Sequence, residues 1–426
     1  MAPKSKFIPL LLILWISLEN IESQVSPADS ERFRDQFRFL KMLGLNLAGR
    51  SSNSPRNLRI YRNLNKLQPS MDEMPFPCSL ENGRSSEPPK SVHKLKPGDI
   101  DVIGAIGDSL TAGNGGAATN IFQVFTENRG ISWSIGGQGT WREYLTLPNM
   151  LKEYNPKLFG YSLADSFTFH KESQFNVAEA GAMSRDTPYM AKMLVKRISS
   201  DPRVNFAKHW KLITMMIGPN DFCLDICYKD KPEDILEQHR EHLHAVLRTL
   251  KQMPRTLVQI VLSPNVALLT KFLNRPLSCR LTHLMECPCF FGAMHSHKRA
   301  HYEEVIRQWQ KIDKEVADLP EYADTEDFGV VVQTFPEKLV FPLSDDGKST
   351  DFTLLSADCF HFSQKGYSRA TNALWNNMFE PVGNKSMTWK KQFEHFNCPT
   401  LNNPYICTNK NCGRQGYDEK ENETDT

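Results

Sequence analysis

The hydrophobic pattern of the chain alternates short apolar runs with longer amphipathic segments. Five apolar runs, bounded by glycine, proline or polar residues, have the length of buried strands. Three other segments repeat apolar residues with a period near 3.6, which predicts helices. The predicted strands are 102–106, 175–178, 212–217, 257–262 and 330–335, and the predicted helices are 232–253, 299–319 and 364–379. This alternation is typical of a three-layer α/β/α fold with a central parallel sheet.

The first apolar run ends in a serine that lies among glycines, in the segment DVIGAIGDSLTAGNG at positions 101–115. Gly107 allows a sharp turn where a side chain would clash, and this turn brings Ser109 to the carboxyl end of the predicted strand. Ligands and catalytic groups collect at that edge of open α/β sheets, and a helix that starts there points its amides at an oxyanion. We therefore predict that Ser109 is a nucleophile. The alternative is a glycine-rich turn that only connects a strand to a helix.

A second polar position follows the apolar run at 212–217, where Gly218 and Pro219 end the predicted strand. This places Asn220 at the same sheet edge as Ser109. The side-chain amide of Asn220 can donate a hydrogen bond to a developing oxyanion. The alternative is an Asx-turn residue, which is a common role for asparagine after Gly-Pro.

An acid–histidine pair precedes the last predicted helix, in the segment SADCFHFSQKGY at positions 356–367. A histidine that accepts a serine proton needs a carboxylate to fix its tautomer and stabilise the imidazolium. Asp358, three residues before His361, fits this role. We expect the pKa of His361 to lie near the unperturbed value of about 6.5. The alternative is an exposed loop pair without a partner.

Together these segments resemble the nucleophile, GxND and DxxH blocks of the GDSL (SGNH) family of serine esterases and lipases. The resemblance extends over positions 101–379, and within the family the chain is most similar to the animal phospholipase B branch. It departs from the G-x-S-x-G elbow of α/β-hydrolases, because Thr111 lies two residues after the serine. The matching residues of the three blocks are Gly107, Asp108, Ser109, Leu110, Gly218, Asn220, Asp221, Asp358 and His361.

The resemblance implies a flavodoxin-like SGNH hydrolase fold and a set of roles. Ser109, Asp358 and His361 would be catalytic, and the oxyanion hole would combine the amides of Ser109 and Gly181 with the side chain of Asn220. The expected activity is hydrolysis of phospholipid and lysophospholipid acyl esters through an acyl-enzyme, at a transient membrane or lipoprotein surface, with no cofactor and no metal. A secreted carbohydrate acetylesterase and an inactive lipid-binding relative remain as alternatives.

The first residues have the organisation of a signal peptide, with basic MAPKSK, apolar FIPLLLILWISL and polar IESQ. The apolar core is shorter than the roughly 20 residues that span a membrane, so we expect a secreted chain without a transmembrane anchor. We divide the chain into a signal peptide (1–23), an N-terminal segment (24–95), a hydrolase domain (96–383) and a cysteine-containing extension with an acidic tail (384–426). The N-terminal segment, with a helical piece around 33–47, is a propeptide or a packed helix followed by a linker.

The cysteine count fits an oxidising compartment, where an even number of cysteines predicts disulfides of undetermined pairing. Two sequons, at Asn384 and Asn422, predict glycosylation. The disulfide candidates are Cys78, Cys223, Cys227, Cys279, Cys287, Cys289, Cys359, Cys398, Cys407 and Cys412.

The charge pattern excludes a nucleic-acid-binding surface, because the net charge is +2 and no run of five or six basic residues occurs. A rival metal site lies between Cys279 and His301, a span with three cysteines and four histidines. Their spacing matches no standard ligand set, and disulfides compete for the cysteines, so we predict no metal. We expect His239, His242 and His244 to be solvated on a polar helix. The sequence leaves the oligomeric state open.

Overall fold

Four apolar segments form a parallel sheet in the order β1-β2-β3-β4. The structure is a computed structural model that describes residues 38–39, 41–43, 51–52, 54–323 and 325–412. The strands are β1 (Ile100–Gly107), β2 (Trp210–Met216), β3 (Thr256–Val261) and β4 (Phe328–Gln333). All strand residues except Asp101 and Val332 are buried, as in a parallel sheet that is covered on both faces.

The helices fill the connections between the strands and the regions beside the sheet. Between residues 54 and 412 the α-helices are α1 (Pro55–Asn63), α2 (Ser109–Ala112), α3 (Leu147–Tyr154), α4 (Thr187–Ser200), α5 (Asp234–Leu250), α6 (Leu277–Glu286), α7 (Pro288–Phe291), α8 (Arg299–Ala317), α9 (Pro320–Ala323) and α10 (Gln364–Met378). None of the helices in the described ranges is both long and apolar enough to cross a membrane.

Two hydrophobic clusters lie on opposite faces of the sheet. Side chains alternate between the faces of a strand, so that Ile213 belongs to one cluster and Leu212 to the other. Helices α4, α5 and α8 cover the first face, and helices α3 and α10 cover the second. The predicted three-layer α/β/α fold with a central parallel sheet is therefore confirmed.

Four of the five predicted strands occur in the sheet, and the three predicted helices occur as α5, α8 and α10. The exception is 175–178, which forms a single parallel bridge between Asn176 and Ala105 of β1. The bridge consists of hydrogen bonds from Ala105 N to the Phe175 carbonyl and from Val177 N to the Ala105 carbonyl, each 3.0 Å. The chain then turns at Gly181, which has a positive φ of 79°. The turn comes before a regular ladder forms, so the prediction of a strand is wrong there.

Segments on both sides of the predicted hydrolase domain pack against it. The hydroxyl of Tyr61 on α1 donates to the Gly115 carbonyl at 2.8 Å, beside the loop that follows α2. Cys407 N in the C-terminal extension donates to the Met378 carbonyl of α10 at 2.8 Å, and a disulfide between Cys78 and Cys398 joins the two flanking segments to each other. The proposed signal peptide and the Asn422 sequon lie outside the described residues, as does most of the helical piece at 33–47. The predicted domain boundaries stay a prediction.

Candidate active site

Ser109 lies where β1 ends and α2 begins, at the carboxyl edge of the sheet. A Cβ atom at Gly107 would come within 2.4 Å of Thr111 Oγ1 and 2.7 Å of the Met216 carbonyl oxygen, so this approach of β1 to its neighbours requires glycine. Asp108 caps the short helix by accepting a hydrogen bond from Leu110 N at 2.9 Å. These contacts fix the backbone that carries the Ser109 hydroxyl.

Three side chains are joined in series from this serine into the protein. His361 Nε2 lies 2.8 Å from Ser109 Oγ, and His361 Nδ1 lies 2.5 Å from Asp358 Oδ2. The other oxygen, Asp358 Oδ1, accepts the backbone N–H groups of Phe360 at 3.0 Å and His361 at 3.1 Å. Because Nδ1–H donates to the carboxylate, Nε2 is left to accept the serine proton. The predicted Ser109, His361 and Asp358 are thus in the geometry of a nucleophile, a base and the group that orients the base.

The electrostatics of the three residues favour a charged histidine. Burial lowers the pKa of His361, but the Asp358 carboxylate, followed by Glu286 and Asp108, outweighs burial and raises that pKa to about 9. Burial also raises the pKa of Asp358, yet the charge of His361 and its hydrogen bonds lower it below its usual value. This raised pKa of His361 differs from the ordinary value near 6.5 that the sequence predicts, because the Asp358 carboxylate, followed by Glu286 and Asp108, stabilises the imidazolium.

Hydrogen-bond donors lie at the same sheet edge as the serine. The backbone N–H groups of Ser109 and Gly181 donate to no acceptor among the described residues. A Cβ atom at Gly181 would have no neighbour within 4 Å, so this amide borders open space. Asn220 Nδ2 donates to the Ala182 carbonyl at 2.9 Å, next to Gly181. The side chain of Asn220 forms no local turn bond, which is unlike the Asx-turn alternative.

A second buried network holds the segment that contains Gly181. Asp221, the last residue of the GxND block, accepts the backbone N–H of Ser184 at 3.0 Å, and burial raises the pKa of Asp221 well above its usual value. Ser184 Oγ lies 2.8 Å from His239 Nδ1, and His239 Nε2 lies 2.9 Å from Asp313 Oδ1. The prediction that His239 is solvated is wrong, since it is completely buried and stacks on Trp309 at 3.6 Å between ring centres.

Glu286 is the residue of this site that sequence reasoning missed. It is the last residue of α6, and one ligand-type atom from each of Glu286, Asp358 and His361 lies within 4.8 Å of the others. Its Oε2 is buried and accepts no hydrogen bond among the described residues. Burial, followed by the Asp358 charge, raises the pKa of Glu286 to about 8. No motif in the sequence marks this glutamate, because its neighbours in space come from a loop more than 70 residues away.

Disulfides connect the segments that carry the site. Cys279 at the start of α6 pairs with Cys359 in the histidine loop. Cys223 and Cys227, which follow Asn220, pair with the two cysteines after α6, Cys287 and Cys289. The remaining bridges are Cys78–Cys398 and Cys407–Cys412, so all ten cysteines are paired. The three cysteines of the rival metal cluster therefore carry no thiolate for a metal.

A serine, a histidine and an aspartate joined in series at the carboxyl edge of a parallel sheet form the arrangement of a serine hydrolase. The family model for GDSL-like lipases and acylhydrolases matches residues 103–374. The chain therefore belongs to the GDSL-like lipase/acylhydrolase family, and the family prediction made from its motifs is confirmed.

Among curated proteins, the chain is similar to the membrane-associated phospholipase B1 of rat, mouse and human. It is 36% identical to the Rattus norvegicus protein over 365 residues, or 83% of this chain and 24% of that protein. It is 37% identical to the Homo sapiens protein over 378 residues, or 84% of this chain and 25% of that protein. The chain thus spans about a quarter of the length of these relatives.

A comparison with solved structures gives a weaker likeness. Phospholipase A1 from Streptomyces albidoflavus NA297 is 13% identical, and the match covers 63% of this chain and 95% of that one at a TM-score of 0.27. A likeness at that score carries no weight for the function of this chain.

Proposed function

We propose that this protein is a serine esterase that hydrolyses the acyl ester bonds of phospholipids and lysophospholipids. The observation that carries the proposal is the series Ser109 Oγ, His361 Nε2 and Asp358 Oδ2, with separations of 2.8 and 2.5 Å, at a sheet edge that also carries N–H groups without an acceptor among the described residues. A positioned nucleophile, an oriented base and donors for developing negative charge are the components of acyl transfer to a serine.

The proposed reaction has two halves. Ser109 Oγ attacks the acyl carbonyl while His361 Nε2 accepts the hydroxyl proton, and the Asp358 carboxylate stabilises the imidazolium. The amides of Ser109 and Gly181 and the second N–H of Asn220 Nδ2 stabilise the tetrahedral oxyanion. The imidazolium then gives its proton to the leaving alcohol. In the second half His361 activates water, which releases the fatty acid and restores Ser109.

The proposed mechanism requires no cofactor or metal. Both nitrogens of His361 are committed to hydrogen bonds, one to Ser109 and one to Asp358. A metal bound by His361 would displace one of these two partners and remove the base from the mechanism. Hydrolysis should therefore continue in excess EDTA, and a loss of activity that zinc or calcium restores would contradict this part of the proposal.

A small apolar cavity, with room for about one water molecule, lies beside the residues that follow the catalytic serine and histidine. Its lining includes Leu110, which directly follows Ser109, and Phe362, which directly follows His361. Met216, Pro264 and Phe335 contribute from the carboxyl ends of β2, β3 and β4. The cavity is too small for an acyl chain, so the proposal of a phospholipid substrate rests on the names of the curated relatives.

We also propose that the protein works outside the cytoplasm, in the secretory pathway or after secretion. All ten cysteines are paired, and structural disulfides persist in oxidising compartments. Asn384 is exposed in a turn, where a glycan would be accommodated. Expression in a secreting cell line, followed by detection in the medium and a glycosidase-dependent mass shift, tests both points.

The nucleophile is tested with a matched pair of serine variants. Ser109→Ala should abolish fatty acid release from phosphatidylcholine and lysophosphatidylcholine and labelling by a fluorophosphonate, while the protein stays folded. Ser199→Ala, a change at an exposed serine of α4, should retain labelling. Labelling that survives in Ser109→Ala would refute the assignment, and a wild-type protein that takes no label would support an inactive lipid-binding relative.

The acyl group is tested with synthetic esters of increasing chain length. The proposed phospholipid substrate predicts that kcat/KM rises from acetyl to long-chain esters, because each methylene that is buried on binding contributes about 0.8 kcal/mol. A preference for acetyl esters would instead support a carbohydrate acetylesterase, which would use the same three catalytic residues.

A further inference from the structure

Helix α6 exposes its apolar side and buries its polar side. One face of the helix carries four apolar residues with the spacing i, i+4, i+7 and i+8, namely Leu277, Leu281, Leu284 and Met285. These four side chains, which we call the α6 surface, have exposed fractions of 72, 55, 48 and 69%. A surface helix of a globular protein normally has the opposite orientation, and a contiguous apolar patch of this kind marks an interaction site.

The inward face of α6 explains this orientation. Thr282 Oγ1 donates to the Asp358 carbonyl at 2.6 Å, and the His283 ring lies 2.9 Å from the Cys359 carbonyl through Nε2. Cys279 forms a disulfide with Cys359, and Glu286 reaches the carboxylate of Asp358. The polar face of α6 is thus committed to the catalytic loop, and the α6 surface lies on the opposite side of the same helix.

The charged residues near the α6 surface, within positions 271–299, are almost all basic. Between positions 271 and 299 the only acidic residue is Glu286, which points toward Asp358. The basic residues of the same segment are Lys271, Arg275, Arg280, Lys298 and Arg299, of which Lys271, Arg280 and Lys298 are exposed. Helices that lie in the headgroup region of a bilayer have this composition, in which lysine and arginine flank exposed leucine and methionine.

We propose that the α6 surface is the site by which this enzyme docks onto the surface of a phospholipid bilayer that contains anionic lipids. The proposal rests on the proposed function, since a lipid esterase must reach substrate that is packed in an aggregate. Leu277, Leu281, Leu284 and Met285 enter the interface, and Arg280 contacts lipid phosphates. The disulfide from Cys279 and the hydrogen bond from Thr282 link this docked helix directly to the loop that carries Asp358 and His361.

The test measures binding separately from catalysis. Ser109→Ala protein is sedimented with vesicles of phosphatidylcholine alone or with 30% phosphatidylserine, so that the vesicles stay intact. Leu281→Glu and Leu284→Glu should each weaken binding about ten-fold or more, as expected for the loss of a buried leucine. Arg280→Glu should weaken binding to the anionic vesicles more than binding to phosphatidylcholine alone. The matched control is Leu401→Glu, a change at another exposed leucine (82%) in the C-terminal extension, which should leave binding unchanged.

Activity measurements distinguish the docking proposal from the proposed function. With Ser109 intact, Leu281→Glu and Leu284→Glu should hydrolyse vesicles slowly but a soluble short-chain ester at the wild-type rate. Vesicle binding that is equal in the wild type, these variants and Leu401→Glu would overturn the docking proposal even if the enzyme is active. A wild-type dimer that Leu284→Glu converts to a monomer, without any vesicle binding, would assign the surface to a second copy of the chain and would also overturn it. If no ester is hydrolysed, the proposed function fails while the sedimentation result still decides the docking.

Discussion

Replacement of Asn220 by alanine should reduce both turnover and stability, by amounts that follow from two different N–H groups of one side chain. One N–H of Asn220 Nδ2 donates to the Ala182 carbonyl at 2.9 Å, and the other has no acceptor among the described residues. The hydrogen bond to Ala182 stabilises the folded protein whether or not substrate is bound. The second N–H would form its hydrogen bond only when negative charge develops on the substrate. The sequence predicted either a catalytic role or a turn role for Asn220. In the structure its side chain forms no local turn bond and instead contacts the segment that contains Gly181.

The two contributions have different magnitudes. Loss of one oxyanion donor lowers kcat roughly 100- to 1,000-fold, which corresponds to about 2.7 to 4 kcal/mol of transition-state stabilisation. Loss of the hydrogen bond to Ala182 lowers the free energy of unfolding by about 0.5 to 1.5 kcal/mol. KM for a soluble ester should change little, because the donor acts mainly in the transition state.

The assay measures kcat per active site, with active sites titrated by a serine-reactive phosphonate, and the free energy of unfolding from urea denaturation. Asn155→Ala is the matched control, because Asn155 Nδ2 donates to the Ile100 carbonyl at 2.7 Å, at the opposite end of β1. This control should lose similar stability and keep normal turnover. The oxyanion role of Asn220 would be refuted if Asn220→Ala behaved like Asn155→Ala.

Three further predictions concern the groups around the imidazole. Neutral His361 is the base and its pKa is raised to about 9, so the acylation rate should rise about ten-fold per pH unit up to a midpoint near 9. A stopped-flow pH profile with a midpoint near 6.5 would contradict this prediction. Glu286→Gln removes a charge that raises the pKa of His361, so the midpoint of the same pH profile should move to lower pH with little change in the plateau rate. An unchanged midpoint would show that Glu286 does not influence the titration of His361. Asp358→Asn should lower kcat roughly 10⁴-fold, because the imidazole loses the partner that fixes its tautomer, and near-normal turnover would sink the acid–histidine assignment.

The parts of the fold that the sequence predicted well are those in which local pattern and tertiary environment agree. Apolar residues dominate strands β1 to β4, and a parallel sheet buries both of their faces, so these strands can be predicted without knowledge of their partners. Ser109 could be placed at the sheet edge because Gly107 and the following polar residues end the first run. Asp358 and His361 are three residues apart, so their contact is local and follows from the loop itself.

The residues that the sequence did not predict depend on partners distant in the chain. His239 lies on a helix rich in charged residues, yet Asp313 and Trp309 of α8 enclose it. Glu286 is the last residue of α6, where nothing in the sequence pattern distinguishes it from a solvated glutamate. Its raised pKa arises from burial next to Asp358. Neither environment is encoded within a window of sequence, since each is created by the packing of elements about 70 residues apart.

Helix α6 gives the clearest case of a local rule reversed by tertiary contacts. Its leucines alone would predict a helix that packs them inward, because apolar burial is the dominant favourable term in folding. Cys279 and Cys287 are held by disulfides to the histidine loop and to the segment after Asn220, and these bonds fix which side of the helix faces the protein. The exposed leucines gain little burial free energy when the protein folds, and contact with a lipid surface would remove them from water. Because the disulfides and the inward hydrogen bonds hold α6 in this orientation, substitution of its exposed leucines by polar residues should leave folding intact.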